Sequence, residues 1–104
     1  MNTTEYDQVV TELNAHRQAI IRAKRPEYTE GHPDVLHNFK VIAEEINVLP
    51  EQVWYVYFRK HVASISQYAK DPAKKTAEPI SERISDCINY LEILAALNAE
   101  KRFN

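Results

Sequence analysis

The chain has 104 residues, and its 13 basic and 15 acidic residues leave a formal net charge of -2. This balance excludes a global attraction to nucleic acid or to an anionic membrane, and the single cysteine, Cys87, excludes a disulfide framework. A chain of this length forms one core, to whose stability a partner subunit would add appreciably.

The composition also bears on location and fold class. No run approaches the roughly 20 apolar residues of a membrane span, and the start, MNTTEYDQVV, lacks the basic and apolar regions of a secretory signal. We therefore expect a cytoplasmic protein. One glycine and five prolines, among long helix-compatible stretches, favour an all-α fold over a β-rich one. The expected architecture is a single domain, residues 1–104, formed by a compact antiparallel bundle of about four helices.

Apolar periodicity predicts a first helix from about Thr4 to Lys24, which Pro26 ends. The loop from Pro26 to Pro33 carries the only glycine. Asp34 then caps a second helix from about Val35 to Asn47. The residues expected to face inward are Tyr6, Val9, Val10, Leu13, Ile20 and Ile21 on the first helix and Leu36, Phe39, Ile42, Ala43 and Ile46 on the second.

Pro50 opens a third predicted helix that runs to about Lys70. A lysine-containing connection without apolar periodicity follows, and the fourth helix then runs from about Glu78 to Ala99. The third helix carries a broad aromatic stripe, which makes it the expected central element. The stripe consists of Trp54, Tyr57, Phe58, His61, Ile65 and Tyr68.

The fourth helix has an acid-amide row on one side and a dense apolar side opposite. Helical spacing puts Glu78, Glu82, Asp86 and Asn89 in the row, and Ile80, Ile84, Cys87, Ile88, Leu91, Leu94 and Ala95 on the apolar side. Ile93 and Leu97 return near the row, so the second half is apolar on nearly all sides. Such a helix is usually enclosed, which predicts that Asp86 and Asn89 lie between helices or at a subunit interface. The wide apolar faces of the third and fourth helices also predict a homo-oligomer.

Lys24, Arg25 and Tyr28 beside the glycine loop form the first candidate ligand site. The cations suit a phosphate and the ring suits a base. The competing interpretation is that the cations stabilise a helix C-terminus and that the tyrosine covers the core. The loop does not match a phosphate-binding P-loop, which needs more glycines and a lysine-hydroxyl pair.

Arg17 interrupts the apolar seam of the first helix and needs an anion. Asp86, Glu82 or a ligand phosphate could supply it, unless the arginine buries its stem and sends the guanidinium to water. His61, with Lys60 on a neighbouring edge, is either a proton donor near a nucleotide or a core histidine satisfied by one hydrogen bond.

The acid-amide row suggests divalent-cation binding as a minority interpretation, because Glu82 and Asp86 are four residues apart and oxygen ligands suit magnesium. The alternative is a solvated row that favours the helix dipole. His16, His32 and His37 form no zinc signature with His61. We therefore predict no metal ligands and no cofactor, with magnesium expected only if the protein is a hydrolase.

The succession KRPEY, DVLHNF, RKHVASI and EPISERISDCINYLEIL resembles small phage and prophage proteins related to the nucleotide modification associated domain family. The resemblance covers about Lys24 to Leu97, and its last segment is the most specific. It implies a phage-associated role around nucleotides, in a bacterial host cell. The matching positions are Lys24, Tyr28, Asn38, Phe39, Lys60, His61, Glu78, Asp86, Asn89 and Tyr90.

A looser similarity links the chain to all-α MazG-type pyrophosphohydrolases, whose acidic helices hold magnesium against a triphosphate. Here the second helix offers Glu44-Glu45 but no paired EExxE-type motif. The leading hypothesis is therefore a non-catalytic module that binds a nucleotide-derived small molecule, either in nucleotide handling or to sequester a nucleotide signal of host immunity. A magnesium-dependent nucleotide hydrolase and a protein-protein interaction module without a small ligand are the alternatives. The expected ligand-binding residues are Arg17, Lys24, Arg25, Tyr28, Asn38, Lys60, His61, Asp86, Asn89 and Tyr90.

Overall fold

The computed structural model describes residues 1–29 and 31–103, with the side chain of Tyr28 excepted. Within these residues the chain forms four helices and no strand: α1 (Thr3–Thr29), α2 (His37–Ile46), α3 (Pro50–Lys70) and α4 (Ile80–Glu100). The all-helical prediction is confirmed, as are the bounds of α3. Pro50 begins α3 because its missing N–H is not needed in a first turn, and the Gln52 side chain accepts the Leu49 N–H at 2.8 Å.

The prediction that Pro26 ends α1 is wrong, because the helix continues through Pro26 to Thr29. Proline removes one N–H, but other groups hold the last turn together. The Thr29 hydroxyl donates to the Arg25 carbonyl at 3.1 Å, and the Gly31 N–H donates to the Pro26 carbonyl at 3.1 Å. Lys24 and Arg25 therefore lie more than a turn before the helix end where cations were expected.

Two predicted helix starts shift by two residues. The helix α2 begins at His37 instead of Val35, because the Asp34 carboxylate accepts the Leu36 N–H at 2.9 Å and so closes the turn before the helix. The helix α4 begins at Ile80, after Pro79, so Glu78 precedes it. Asn47 follows α2 in the left-handed conformation with a φ of 58°.

The core lies between α2, α3 and α4, where Leu36, Trp54 and Leu97 are buried. The Trp54 indole N–H donates to the Tyr90 carbonyl at 2.6 Å, which satisfies its one polar atom and ties α3 to α4. The partly buried residues that pack on this core are Phe39, Phe58, Tyr90, Ile93 and Leu94.

The side of α4 that faces the core differs from the predicted apolar side. Leu91, expected inside, is 50% exposed, whereas Ser85 and Leu97 are buried. Tyr90, Ile93 and Leu97 contact or form the core, and their spacing of three and four continues the line of Asp86. The acid-amide row therefore runs into the core-facing side, which places Asp86 and Asn89 between helices.

The helix α1 contacts α2 and α4, and its N-terminal half is exposed. Tyr6, Val9 and Val10, which were expected to face inward, are 61, 51 and 38% exposed. The first half of α1 therefore extends past the rest of the bundle, and only its second half lies where it can line a site.

Candidate functional site

A large open cavity of about 1010 Å³ lies between the second half of α1, α2 and the inner face of α4, and Tyr57 and His61 of α3 also line it. Its floor is apolar and includes Ile21, Phe39, Ile42 and Ile93. Polar and charged side chains from α1 and α4 also line the cavity. A concave, mostly apolar site with a few polar groups is the usual form of a small-molecule site.

Seven residues predicted from the sequence to bind a ligand line this cavity. They come from all four helices and are Lys24, Arg25, Asn38, His61, Asp86, Asn89 and Tyr90. The fold thus collects residues that are up to 66 positions apart in the chain, from Lys24 to Tyr90.

Of the other three predicted residues, Lys60 and Arg17 do not line the cavity. Lys60 is exposed and lies outside it, because the neighbouring position, His61, faces the cavity and successive helix residues point about 100° apart. The side chain of Tyr28 lies outside the described part of the structure. Arg17 is buried, with 6% of its surface exposed, and contacts residues that line the cavity.

Arg17 pairs with an anion on α4, Glu92, which was not among the partners predicted from the sequence. Its Nη1 pairs with Glu92 and also donates to the Asn89 Oδ1 at 3.3 Å. The predicted partners Asp86 and Glu82 are not used, because the side of α4 that faces the middle of α1 carries Asn89 and Glu92. The Arg17 Nε is buried and has no acceptor among the described residues.

The contact with Arg17 determines how the Asn89 amide is oriented. An arginine has only N–H donors, so the atom of Asn89 that faces it must be the carbonyl oxygen. The amide NH₂ of Asn89 therefore points away from Arg17. Asn89 lines the cavity, and its NH₂ donates no hydrogen bond to a described residue.

Asp86 lies one turn before Asn89 on the same face of α4 and also lines the cavity. Its Oδ2 is 3.7 Å from His61 Nδ1, which is too long for a hydrogen bond. Burial raises the pKa of the Asp86 carboxyl, as do Glu78 and Glu82, while His61 and Lys24 oppose the shift. In the part of the chain that the structure describes, this half-buried carboxylate has no hydrogen-bond donor of its own.

Aromatic side chains pack together beside these polar groups. The Phe39 ring meets the Tyr57 and Tyr90 rings edge-on, with centroids 6.1 and 6.4 Å away, and the His61 ring lies 4.7 Å from Tyr90. All four rings line the cavity. Tyr57 was predicted to lie on the aromatic stripe but not in the site, although its spacing of four from His61 puts both residues on one side of α3.

An ion-pair network that was not predicted from the sequence includes two residues that line the cavity, Asp34 and Glu100. Lys40 Nζ donates to Asp34 Oδ2 at 2.7 Å and to Glu100 Oε2 at 2.6 Å, which links the α1–α2 loop, α2 and the end of α4. The hydrogen bond from Lys40 lowers the pKa of Asp34. The hydrogen bonds to Asp34 and Glu100 raise the pKa of Lys40. Three of the five acidic residues lining the cavity, Asp34, Glu92 and Glu100, are therefore paired with cations.

Within residues 1–29 and 31–103, no three His, Cys, Asp or Glu side chains converge where they could hold a metal ion. His32 and His37 stack on each other with ring centroids 3.8 Å apart, and His32 Nδ1 accepts the Asp34 N–H at 2.9 Å.

The free thiol of Cys87 is partly buried, and burial raises its pKa, which disfavours the reactive thiolate.

No described helix is both long and apolar enough to cross a membrane. No protein-family model, curated protein or solved structure matches the chain. The resemblance to the nucleotide modification associated domain family therefore stays a prediction, and the cavity is the structural feature that bears on function.

Proposed function

We propose that the protein binds a nucleotide-derived small molecule in the cavity between α1, α2 and α4, and releases it unchanged. The observation that carries this proposal is that seven residues singled out from the sequence line one cavity. Its volume of about 1010 Å³ is at the upper end of the range usual for ligand pockets, about 300–1,000 Å³. A phage-type role in nucleotide handling, or in sequestering a nucleotide immune signal, follows from the resemblance.

The charges and rings around the cavity match the parts of a nucleotide. Lys24 and Arg25 of α1 supply positive charge for a phosphate, and the rings of Tyr57 and Tyr90 supply a surface on which a base can stack. Asp86 and Asn89 supply the polar groups that orient the base. Binding is favoured over metal-dependent hydrolysis because most cavity carboxylates already pair with Arg17 or Lys40.

We also infer that the protein acts as a homo-oligomer. Tyr55 and Val56 of α3 and Leu91 of α4 are at least half exposed, which leaves apolar surface on both helices that were expected to associate. Sedimentation equilibrium of the wild type and of Val56→Lys tests this. A single monomeric species in the wild type would contradict it.

Thermal shift and titration calorimetry with mononucleotides, nucleoside triphosphates and cyclic dinucleotides, each with and without magnesium, test the binding function. A ligand that raises Tm and is recovered intact by chromatography is the expected result. Recovery as a cleaved product would establish the hydrolase instead, and no shift with any nucleotide would favour the protein-protein interaction role.

Two lysines make a matched pair for this experiment. Lys24 lines the cavity, whereas Lys60 is exposed outside it. Lys24→Ala should weaken binding of the phosphate-containing ligand by about tenfold or more, the usual effect of losing one charge-assisted hydrogen bond. Lys60→Ala should leave the affinity unchanged. Equal effects of the two substitutions would argue against a site in this cavity.

A further inference from the structure

Asp86 and Asn89 together form a fixed acceptor and a fixed donor on one face of α4. Residues three apart on a helix are neighbours, with Cβ atoms about 5–6 Å apart. The Asn89 carbonyl oxygen is occupied by Arg17, so its NH₂ is directed elsewhere. The Asp86 carboxylate receives no hydrogen bond from any described residue, and both side chains line the cavity.

This pair can be compared with the edges of the four common bases. A carboxylate accepts at two oxygens, so it is best satisfied by two adjacent N–H donors. Guanine presents such donors at N1 and N2, with the O6 acceptor beside them. Adenine has one amino group beside a ring nitrogen acceptor, cytosine has one amino group followed by two acceptors, and uracil has one N–H between two carbonyls.

We propose that the cavity selects guanine nucleotides: the Asp86 carboxylate accepts the N1 and N2 hydrogens of the base, and the Asn89 NH₂ donates to O6. This inference rests on the proposed nucleotide-binding function. Lys24 and Arg25 on α1 take the phosphate, and Arg17 is a positioning residue that holds the Asn89 amide in the required orientation.

The selectivity follows from the cost of leaving buried groups unpaired. A half-buried carboxylate that meets a base acceptor instead of a donor loses its solvation and gains no hydrogen bond. Burial raises the pKa of Asp86, which means that its ionised form is poorly stabilised in the free protein. Hydrogen-bond donors from the base would stabilise that ionised form. A bidentate pair of this kind discriminates between bases by roughly 5-fold to 150-fold.

Titration calorimetry of the wild type with GMP, IMP, AMP and XMP tests the proposal. IMP lacks the 2-amino group, and XMP carries a carbonyl at that position. We expect the affinity for GMP to be at least about tenfold higher than that for IMP, and the affinities for AMP and XMP to be lower still. Equal affinities for GMP and AMP would overturn the guanine assignment while leaving nucleotide binding intact. A failure of all four, with no binding of any other nucleotide in the wider panel, would overturn the proposed function as well.

The substitution Asp86→Asn gives a second test, which a loss of folding cannot imitate. An amide at position 86 has one acceptor for the N1 hydrogen and one donor for the C2 carbonyl of xanthine. The variant should therefore lose affinity for GMP and gain affinity for XMP, both by about tenfold. Glu82→Gln, one turn earlier on α4 and outside the cavity, is the matched control and should keep the wild-type order of ligands. A variant Asp86→Asn that still prefers GMP would refute the assignment of this residue.

Discussion

The pairing between Arg17 and Glu92 predicts that the two residues differ in their effect on stability. The Arg17 side chain is 8% exposed, whereas that of Glu92 is 53% exposed. Removing Glu92 leaves a buried guanidinium whose Nε already lacks an acceptor among the described residues. Removing the Arg17 charge leaves a carboxylate that water can reach. The cost of breaking the pair should therefore depend on which partner is removed.

We expect Glu92→Ala to lower the free energy of unfolding by about 1–2 kcal/mol. This is below the roughly 3–5 kcal/mol of a fully buried pair, because Asn89 remains as an acceptor and solvent reaches one side. For a chain of this length each kcal/mol lowers Tm by about 4–8 °C. Arg17→Met, which keeps the apolar stem and removes the buried charge, should change stability by less than about 1 kcal/mol.

Urea denaturation followed by circular dichroism measures both changes. Glu45→Ala, an exposed glutamate on α2, is the control and should stay within about 0.5 kcal/mol of the wild type. The same variants separate stability from binding, because Arg17→Met frees the Asn89 amide and should weaken nucleotide binding although the protein stays folded. A larger loss of unfolding free energy in Arg17→Met than in Glu92→Ala would contradict this prediction.

Three further predictions concern stability alone. Asp86→Asn should raise Tm at pH 7. The pKa of Asp86 is raised in the folded state, so ionisation of this carboxyl lowers the stability of the wild type as the pH rises above the ordinary pKa of 3.8. A series of melting curves at different pH values should show that the Tm difference disappears below pH 3.8. Lys40→Met should lower stability by about 1 kcal/mol at pH 7, after allowance for the solvent that reaches these partly exposed charges. Because the pKa of Asp34 is lowered, its share of that loss should vanish in a urea series as the pH falls through the lowered pKa. Asn47→Ala should cost about 1 kcal/mol, because the residue has a φ of 58°, whereas Asn47→Gly should cost nothing in the same assay.

Local sequence signals were sufficient to predict most of the helices. Pro50 begins α3 because proline is compatible with a first helical turn, and Pro72, two residues after α3 ends at Lys70, is incompatible with continuation. The same rule was wrong at Pro26, where the hydroxyl of Thr29 supports the last turn of α1. That contact depends on a side chain three residues after the proline, which a rule about proline alone does not include.

Seven of the residues that line the cavity were predicted from the sequence as ligand-binding candidates, but their contacts were not predicted. Arg17 in an apolar seam indicated an anion from Asp86, Glu82 or a ligand, or else a guanidinium that reaches water. The observed choice of Glu92 depends on how α4 is rotated against α1. Apolar periodicity favoured Leu91 as an inward residue, whereas the structure turns Tyr90, Ile93 and Leu97 to the core. Rotation of a helix that is apolar on nearly all sides is set by packing, which periodicity alone does not determine.

The way in which α1 is attached suggests that a ligand would complete the fold as well as occupy the site. Among the described residues α1 packs on α2 and α4 but not on α3, and the ion pair between the buried Arg17 and Glu92 fixes its middle. A nucleotide held by Lys24 on α1 and by Asp86 on α4 would add a second link between the same two helices. We therefore expect amide hydrogen exchange in the second half of α1 to slow on ligand binding, while the exposed turn around Tyr6 exchanges as before. Unchanged exchange throughout α1 in a saturated complex would show that the ligand does not bridge these helices.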